Sequence, residues 1–305
     1  MLERIAGNHE LKQDLKTALG SGRIAHSILL VGEPGCGAGF AARCLAADYL
    51  YPAGGPHAEA VLKKEDTECL VLQGEGASGQ IPVKKVREAR EAIQRSALST
   101  DAAGRVLFIY GAQNLNGSSA NAMLKIIEEP PEGVLFLLTA TSAATVLPTI
   151  RSRCAAYTIA PVPAADCAAR LKAERLPAKA AEELAFLYEG HIGTALKSWN
   201  DPTAKAALGM AKTLCGYAAQ GDTYRALALL TKYERDKDGF AALLWTLDQL
   251  CSAVLRRPAY GQEQCGGLTP AGAAKILNAD ARARKSLTGN GNLRLNVAVL
   301  AGEIA

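Results

Sequence analysis

The sequence has no C-x-x-C pair among its eight cysteines, which stand singly at positions 36, 44, 69, 154, 167, 215, 251 and 265. That scatter excludes the common zinc spacings and a disulfide framework, and it is the pattern of reduced thiols in a cytoplasmic protein. No apolar run approaches the ~18 residues of a membrane span. Met1 leads into charged, amphipathic sequence instead of a secretory leader. Internal repeats and low-complexity tails are also missing. Charge of one sign is scarce: 34 Lys+Arg against 30 Asp+Glu leave a net +4. Nucleic-acid binding cannot be read from so small an excess, so any basic surface has to be local.

What is present is an ordinary globular composition, 49% hydrophobic and 21% charged over 305 residues. That length suits two or three domains. The chain is organised around Ser27–Phe40, SILLVGEPGCGAGF. Ser27–Val31 is a short apolar run of the kind buried inside a parallel sheet. Gly32, Gly35, Gly37 and Gly39 allow a tight loop, and Ala38–Leu50 reads as the helix after it. Strand, glycine loop and helix form the context of a phosphate-binding loop, G-x-x-x-x-G-K-[ST]. Gly32 and Gly37 occupy the two glycine positions, but Ala38 and Gly39 replace the lysine and the hydroxyl residue. Two readings stay open for Gly32, Gly35, Gly37, Ala38 and Gly39. The loop either only connects strand to helix, or binds nucleotide weakly through backbone N–H groups and the helix N-terminus.

Around this unit, Asn8 is placed to cap a helix carrying Leu11, Leu15 and Leu19, which ends near Gly20-Ser21-Gly22. Tyr51–Glu68 reads as an irregular surface loop. Further strands are expected at Cys69–Leu72, Val106–Tyr110, Val134–Leu138 and Ala156–Ile159. The loop Gly74–Gly79 closes the first of these. Val83, Val86 and Ile93 mark a helix whose other face carries Lys84, Lys85, Arg87, Arg90 and Arg95. A helix over Ser118–Glu129 is stopped by Pro130-Pro131, and a short one lies around Ala144–Ser152. Strands and helices alternating in this rhythm specify an α/β layer with a five-stranded parallel sheet and helices on both faces. After Pro161-Val162-Pro163 the chain becomes all-helical. The expected domains are 1–162 (α/β), 163–200 (small helical) and 201–305 (helical bundle), with a hinge near Asn200–Pro202. Apolar stripes run through Leu243, Leu247, Leu250 and Leu255, and through Leu293, Leu295, Val297, Val299 and Leu300.

Four stretches make the sequence resemble one family. They are Ser21–His26, the degenerate loop Gly32–Gly39, the run NAMLKIIEEPP at 121–131, and LPTIRSRC at 147–154. In this order they are similar to the delta-prime subunits of the bacterial DNA polymerase III clamp loader, members of the AAA+ superfamily. The likeness covers the first half of the chain. The second half matches in outline, through Gly190–Leu196 and a closing segment over Asn290–Leu300.

The resemblance implies an AAA+ domain, a helical lid and a C-terminal collar that joins neighbouring subunits. Active relatives end the third strand in Asp-Glu to hold Mg²⁺ and position water, whereas Tyr110 and Gly111 stand here. Gly193 stands where active relatives carry a nucleotide-sensing arginine. Arg153 matches the arginine that the family projects toward a neighbour's nucleotide, with Arg151 the second choice. Cys154 reads as a small filler in the packing. The four-cysteine zinc insertion of many relatives has no counterpart, so no metal and no working nucleotide cofactor are expected. The implied partners are gamma/tau-type motor subunits, the delta subunit, the sliding clamp and primer–template DNA. Lys84, Lys85 and Arg87, with the helix start at Ser118 and Ser119, are either DNA-proximal or simply a solvated face and a capped helix. His26 and His191 read as structural, with no carboxylate partner in sight.

The expected function is therefore a non-hydrolysing loader subunit. Two other classes stay open. One is an ATPase with an unorthodox loop that uses Lys63, Lys64 or Lys125, and the other is a stand-alone DNA-binding protein.

Overall fold

The five apolar runs form one parallel sheet: β1 (Ser27–Val31), β2 (Cys69–Gln73), β3 (Arg105–Tyr110), β4 (Val134–Ala140) and β5 (Ala155–Thr158). The strand order is β2-β3-β4-β1-β5, and every neighbouring pair is parallel. The computed structural model describes residues 1–76, 79–94, 99–289 and 291–304. These divide into two compact units. The first is Met1–Ala181 with Glu189–Thr194, and the second is Glu182–Tyr188 with Ala195–Ala305.

In the first unit the two-residue period of the strands sorts side chains between two cores. Ile28, Leu30, Val106, Phe108, Leu135 and Leu137 face one core. It is completed by helices α1 (His9–Gly20), α2 (Ala38–Leu50) and α3 (Pro56–Lys63). Leu29, Val31, Leu107, Ile109, Phe136 and Leu138 face the other. There α4 (Val83–Ile93), α5 (Gly117–Glu128) and α6 (Pro148–Arg151) cover them. The central strands are apolar at nearly every position because both of their faces are covered. α2 is apolar all round for the same reason, with Ala41, Ala42, Cys44, Leu45, Ala46, Ala47 and Leu50 buried.

Two local expectations are corrected here. Tyr51–Glu68 is not an irregular loop, because it contains α3, with Pro56 in the first turn and Ala58 and Val61 buried against α2. At eight residues the helix is too short for its periodicity to stand out, and tertiary burial stabilises it. Asn8 precedes α1 but makes no capping bond. It takes a left-handed conformation, φ 47°, and its side chain reaches the distant Ala160 instead. Its Oδ1 accepts from Ala160 N–H at 2.9 Å and its Nδ2 donates to Ala160 O at 3.2 Å.

The remaining helices are α7 (Ala164–Ala173), α8 (Ala178–Leu187) and α9 (Ile192–Asn200), then α10 (Pro202–Gln220), α11 (Thr223–Leu230) and α12 (Lys237–Arg256). After them come α13 (Pro258–Gln264), α14 (Pro270–Thr288) and α15 (Leu293–Ile304). In the second unit α12 packs against α10 and α14, and α15 against α11 and α14. Leu243, Leu247 and Leu250 are fully buried, but Leu255 is 45% exposed and leaves the core stripe. On α15, Val297 and Leu300 face inward, whereas Leu295 and Val299 are exposed. All eight cysteines are free thiols.

Candidate functional site

The chain leaves β1 at Gly32, whose N–H donates to Ala140 O of β4 at 3.0 Å. The loop therefore starts at the carboxyl ends of the two central strands, where open α/β sheets place ligands. Gly35 and Gly37 hold φ of +94° and +99°, and Gly37 opens α2. A cleft of about 470 Å³ follows, lined by the loop with Arg43, Gly111, Gln113, Thr139 and Gly193 among others.

The positions that would hold Mg²⁺ in an active relative lie side by side. A Cβ on Gly39 would lie 3.3 Å from the Tyr110 ring, closer than an ordinary packing distance. Tyr110 stacks on Phe108 with 5.6 Å between ring centroids, and burial pushes its phenol pKa up. The strand end thus presents an aromatic ring, where metal binding would call for a carboxylate. Of the lysines considered as substitutes, Lys64 sits 5.8 Å from the Tyr110 ring. None of Lys63, Lys64 and Lys125 lines the cleft, and Arg43 is the cation among its described lining residues. The P-loop lysine and hydroxyl and the strand-end acids are missing from the cleft, and Glu33 of the loop is the carboxylate among its described lining residues.

The start of α9 closes over the loop. Gly193 N–H donates to Gly35 O at 2.8 Å, and Thr194 Oγ1 donates to Pro34 O at 3.4 Å. His191 Nε2 lies 3.0 Å from Glu33 Oε2, which corrects the reading of His191 as lacking a carboxylate partner. The two residues are far apart in the sequence, and the fold brings them together. Gly193 also has little room for a side chain, since a Cβ there would lie 3.0 Å from Gly35 O.

Arg153 follows α6, which is anchored by the fully buried Ile150. Its side chain is exposed, and Nη2 lies 2.6 Å from Glu128 Oε1 at the end of α5. Nη1 donates to Thr149 O at 3.0 Å. Arg151 turns to a different acceptor, Ala143 O, at 3.1 Å. Cys154 is partly buried against the second core, and burial raises its thiol to about 11, which keeps it protonated and unreactive. Glu128, the partner of Arg153, is not singled out by sequence reasoning. The signal for it in the sequence is its place in the run NAMLKIIEEPP at 121–131, which assigns it no role.

The basic face of α4 is partly neutralised. Lys84 lies 3.9 Å from Glu88 and Lys85 pairs with Glu75. Arg87 and Arg90 are exposed, and Arg95 lies outside the described residues, as do Ala77, Ser78 and Asn290. At the start of α5, Asn116 Oδ1 accepts from Ser119 N–H at 2.9 Å and Ser119 is fully buried. Ser118 remains exposed beside it. His26 Nδ1 lies 2.9 Å from Ser27 Oγ.

A parallel sheet in this order, a P-loop-like turn after β1 and a helical second half define an AAA+ module. The chain belongs to the DNA polymerase III delta subunit family, in its delta-prime type, and the family's model matches residues 7–163. It is 29% identical over 210 residues to DNA polymerase III subunit delta-prime of Escherichia coli K12, covering 68% of this chain and 57% of that protein. Over 155 residues it is 34% identical to DNA polymerase III subunit gamma/tau of Mycobacterium bovis, covering 49% of this chain and 27% of that one. The chain thus spans less than two-thirds of either relative. Among solved structures, a gamma subunit-related protein of Thermotoga maritima superposes with a TM-score of 0.51 at 16% identity, over 95% of this chain and 99% of that one. The RuvB Holliday junction branch migration motor of the same organism gives 0.50 at 16%, over 93% and 82%. At such identities these two likenesses speak for the fold alone.

Proposed function

We propose that this chain is a non-hydrolysing subunit of a replicative clamp loader. In this reading it lends Arg153 to the ATP site of an adjacent gamma/tau-type motor subunit. The observation that carries it is the Tyr110 ring at the strand end, so close that a Cβ on Gly39 would lie 3.3 Å from it, which sets an aromatic side chain where an ATPase holds its metal. Lysine, hydroxyl and strand-end acids are replaced together, and the sensor position is a glycine pressed on the loop. One such change could be rescued from elsewhere, but this set removes the lysine, the hydroxyl and the strand-end acids on which hydrolysis depends, and Arg43 is the cation left among the described lining residues. The fold keeps the scaffold, and the chemistry takes place next door.

Arg153 supports the second half of the reading. Its guanidinium is exposed on a rigid base, and an arginine supplied to a phosphoryl-transfer site contributes about 10³–10⁵ in rate. The delta subunit, the sliding clamp and primer–template DNA complete the proposed assembly. DNA would meet Lys84, Lys85, Arg87 and Ser118 through backbone phosphates without reading sequence. The proposal needs neither a bound nucleotide nor zinc in this subunit. Among the described residues, no helix is long and apolar enough to cross a membrane, and the proposed place of work is the cytoplasm.

The test is reconstitution with the motor subunits, clamp and primed DNA. Arg153→Ala should cut the ATPase rate sharply while the complex still assembles by size exclusion. An unchanged rate removes the assignment. ATP hydrolysis above background by this chain alone, with clamp and DNA present, would favour the enzyme reading.

A further inference from the structure

The guanidinium of Arg153 is held in place before any partner arrives. Two of its acceptors, Thr149 O and Ser152 Oγ at 3.0 and 3.4 Å, are local to α6. The third, Glu128 Oε1 at 2.6 Å, comes from the end of α5. Glu128 is oddly placed for its own helix. It is the last residue of α5, Glu129 follows it, and the carbonyl end of a helix disfavours anions. Both acids are exposed, so packing does not require either. Residues that break a local preference without a structural gain tend to mark functional positions. The cation 2.6 Å away explains Glu128, and Glu129 makes no such contact with Arg153.

We infer that Glu128 is the positioning residue for Arg153, an inference that rests on the in-trans reading above. Arginine has a long, rotamer-rich side chain, and ordering it only when a neighbour docks would weaken its contribution. Glu128 and the α6 acceptors order it in advance. They engage hydrogens of both terminal nitrogens and leave the Nε–H and the second Nη2 hydrogen for an incoming phosphate oxygen. The pair is solvent-exposed on both sides, 39% and 47%. It is therefore weak enough to loosen when a phosphate competes for the cation.

The experiment compares Glu128→Ala, Glu128→Gln, Glu129→Gln and Arg153→Ala in the complex reconstituted with motor subunits, clamp and primed DNA. Glu128→Ala should lower kcat about 3- to 10-fold with the KM for ATP within about twofold, because only the orientation of a transition-state contact is lost. Glu128→Gln keeps an acceptor without the charge and should fall between wild type and Glu128→Ala. Glu129→Gln should change nothing, and Glu128→Ala added to Arg153→Ala should cost no further rate. In the free protein, the ¹⁵N order parameter of the Arg153 Nε–H should drop in Glu128→Ala and hold in Glu129→Gln. An unchanged or faster rate for Glu128→Ala, with Arg153→Ala slow, overturns the positioning role and leaves the finger standing. If Arg153→Ala is itself unaffected, the finger reading fails first and takes this inference with it.

Discussion

Replacing Gly35 by alanine tests whether the start of α9 holds the Gly32–Gly39 loop shut. Gly35 sits at φ +94°, and a Cβ there would lie 2.0 Å from Thr194 Oγ1 and 3.0 Å from both Thr194 Cβ and N. Forcing a non-glycine residue into that conformation costs roughly 1–3 kcal/mol. The overlap adds a similar amount, about 1–3 kcal/mol, because Thr194 is short and branched and its backbone is also in the way. Together the closed arrangement should lose about 2–6 kcal/mol relative to an open one. Gly193 N–H is the reporter, since it donates to Gly35 O at 2.8 Å. Tenfold in an equilibrium corresponds to about 1.4 kcal/mol. The Gly193 amide should thus exchange with solvent at least about 30-fold faster in Gly35→Ala, while the amides of β1 and β4 change far less.

A double-mutant cycle separates the two contributions. Thr194→Ala removes Oγ1 but neither the φ penalty nor the close approach of Cβ and N at 194, so Gly35→Ala should cost less in that background than in the wild type by the share that Oγ1 carries. The reasoning is refuted if Gly193 exchange in Gly35→Ala stays within about threefold of wild type, or if Thr194→Ala rescues nothing. Under the proposed function, Gly35→Ala should still hydrolyse no ATP, because Ala38 and the Tyr110 ring are untouched.

How much of this was legible in the sequence depends on the range of the interaction. The sheet was legible because both faces of its central strands are buried, and an apolar run such as ILLV at 28–31 needs no partner to be recognised. The missing lysine and hydroxyl at Ala38 and Gly39 were likewise local to one motif. What escaped was long-range. Asn8 fitted a cap by type, but Ala160 competes for its side chain through two hydrogen bonds. His191 lacked a carboxylate neighbour until the fold set Glu33 beside it. Leu255 continued a stripe that the end of α12 carries out into solvent. At the candidate site, Arg153 is picked out by its motif, whereas the pairing of Glu128 with it, between residues far apart in the chain, is visible only in the fold.

Two stability predictions remain, one in each compact unit. In the first unit, Glu68 is fully buried and lies 3.2 Å from Arg105 Nε, with Ser99 N–H donating to its other oxygen at 2.8 Å. Glu68→Gln should destabilise by about 3–5 kcal/mol, while replacing both partners by methionine should come much closer to neutral. Exchange of β3 amides reads this, because both tryptophans, Trp199 and Trp245, belong to the second unit. A cost below about 1 kcal/mol for Glu68→Gln would show the pair behaving as an exposed one. In the second unit, Asp280 is buried beside Arg284, and burial lifts its pKa from 3.8 to about 6 despite the cation 2.6 Å away. Asp248 pushes in the same direction. The sign follows from proton counts. Between pH 4 and 6 the folded state holds a proton that the unfolded chain has released, so this group's contribution to stability falls as pH rises through that window and is flat above it. A rise from 3.8 to about 6 corresponds to about 3 kcal/mol across the window. Urea unfolding followed by tryptophan fluorescence should therefore lose that slope in Asp280→Asn, and a variant with the wild-type slope would mean that Asp280 stays ionised in the folded protein.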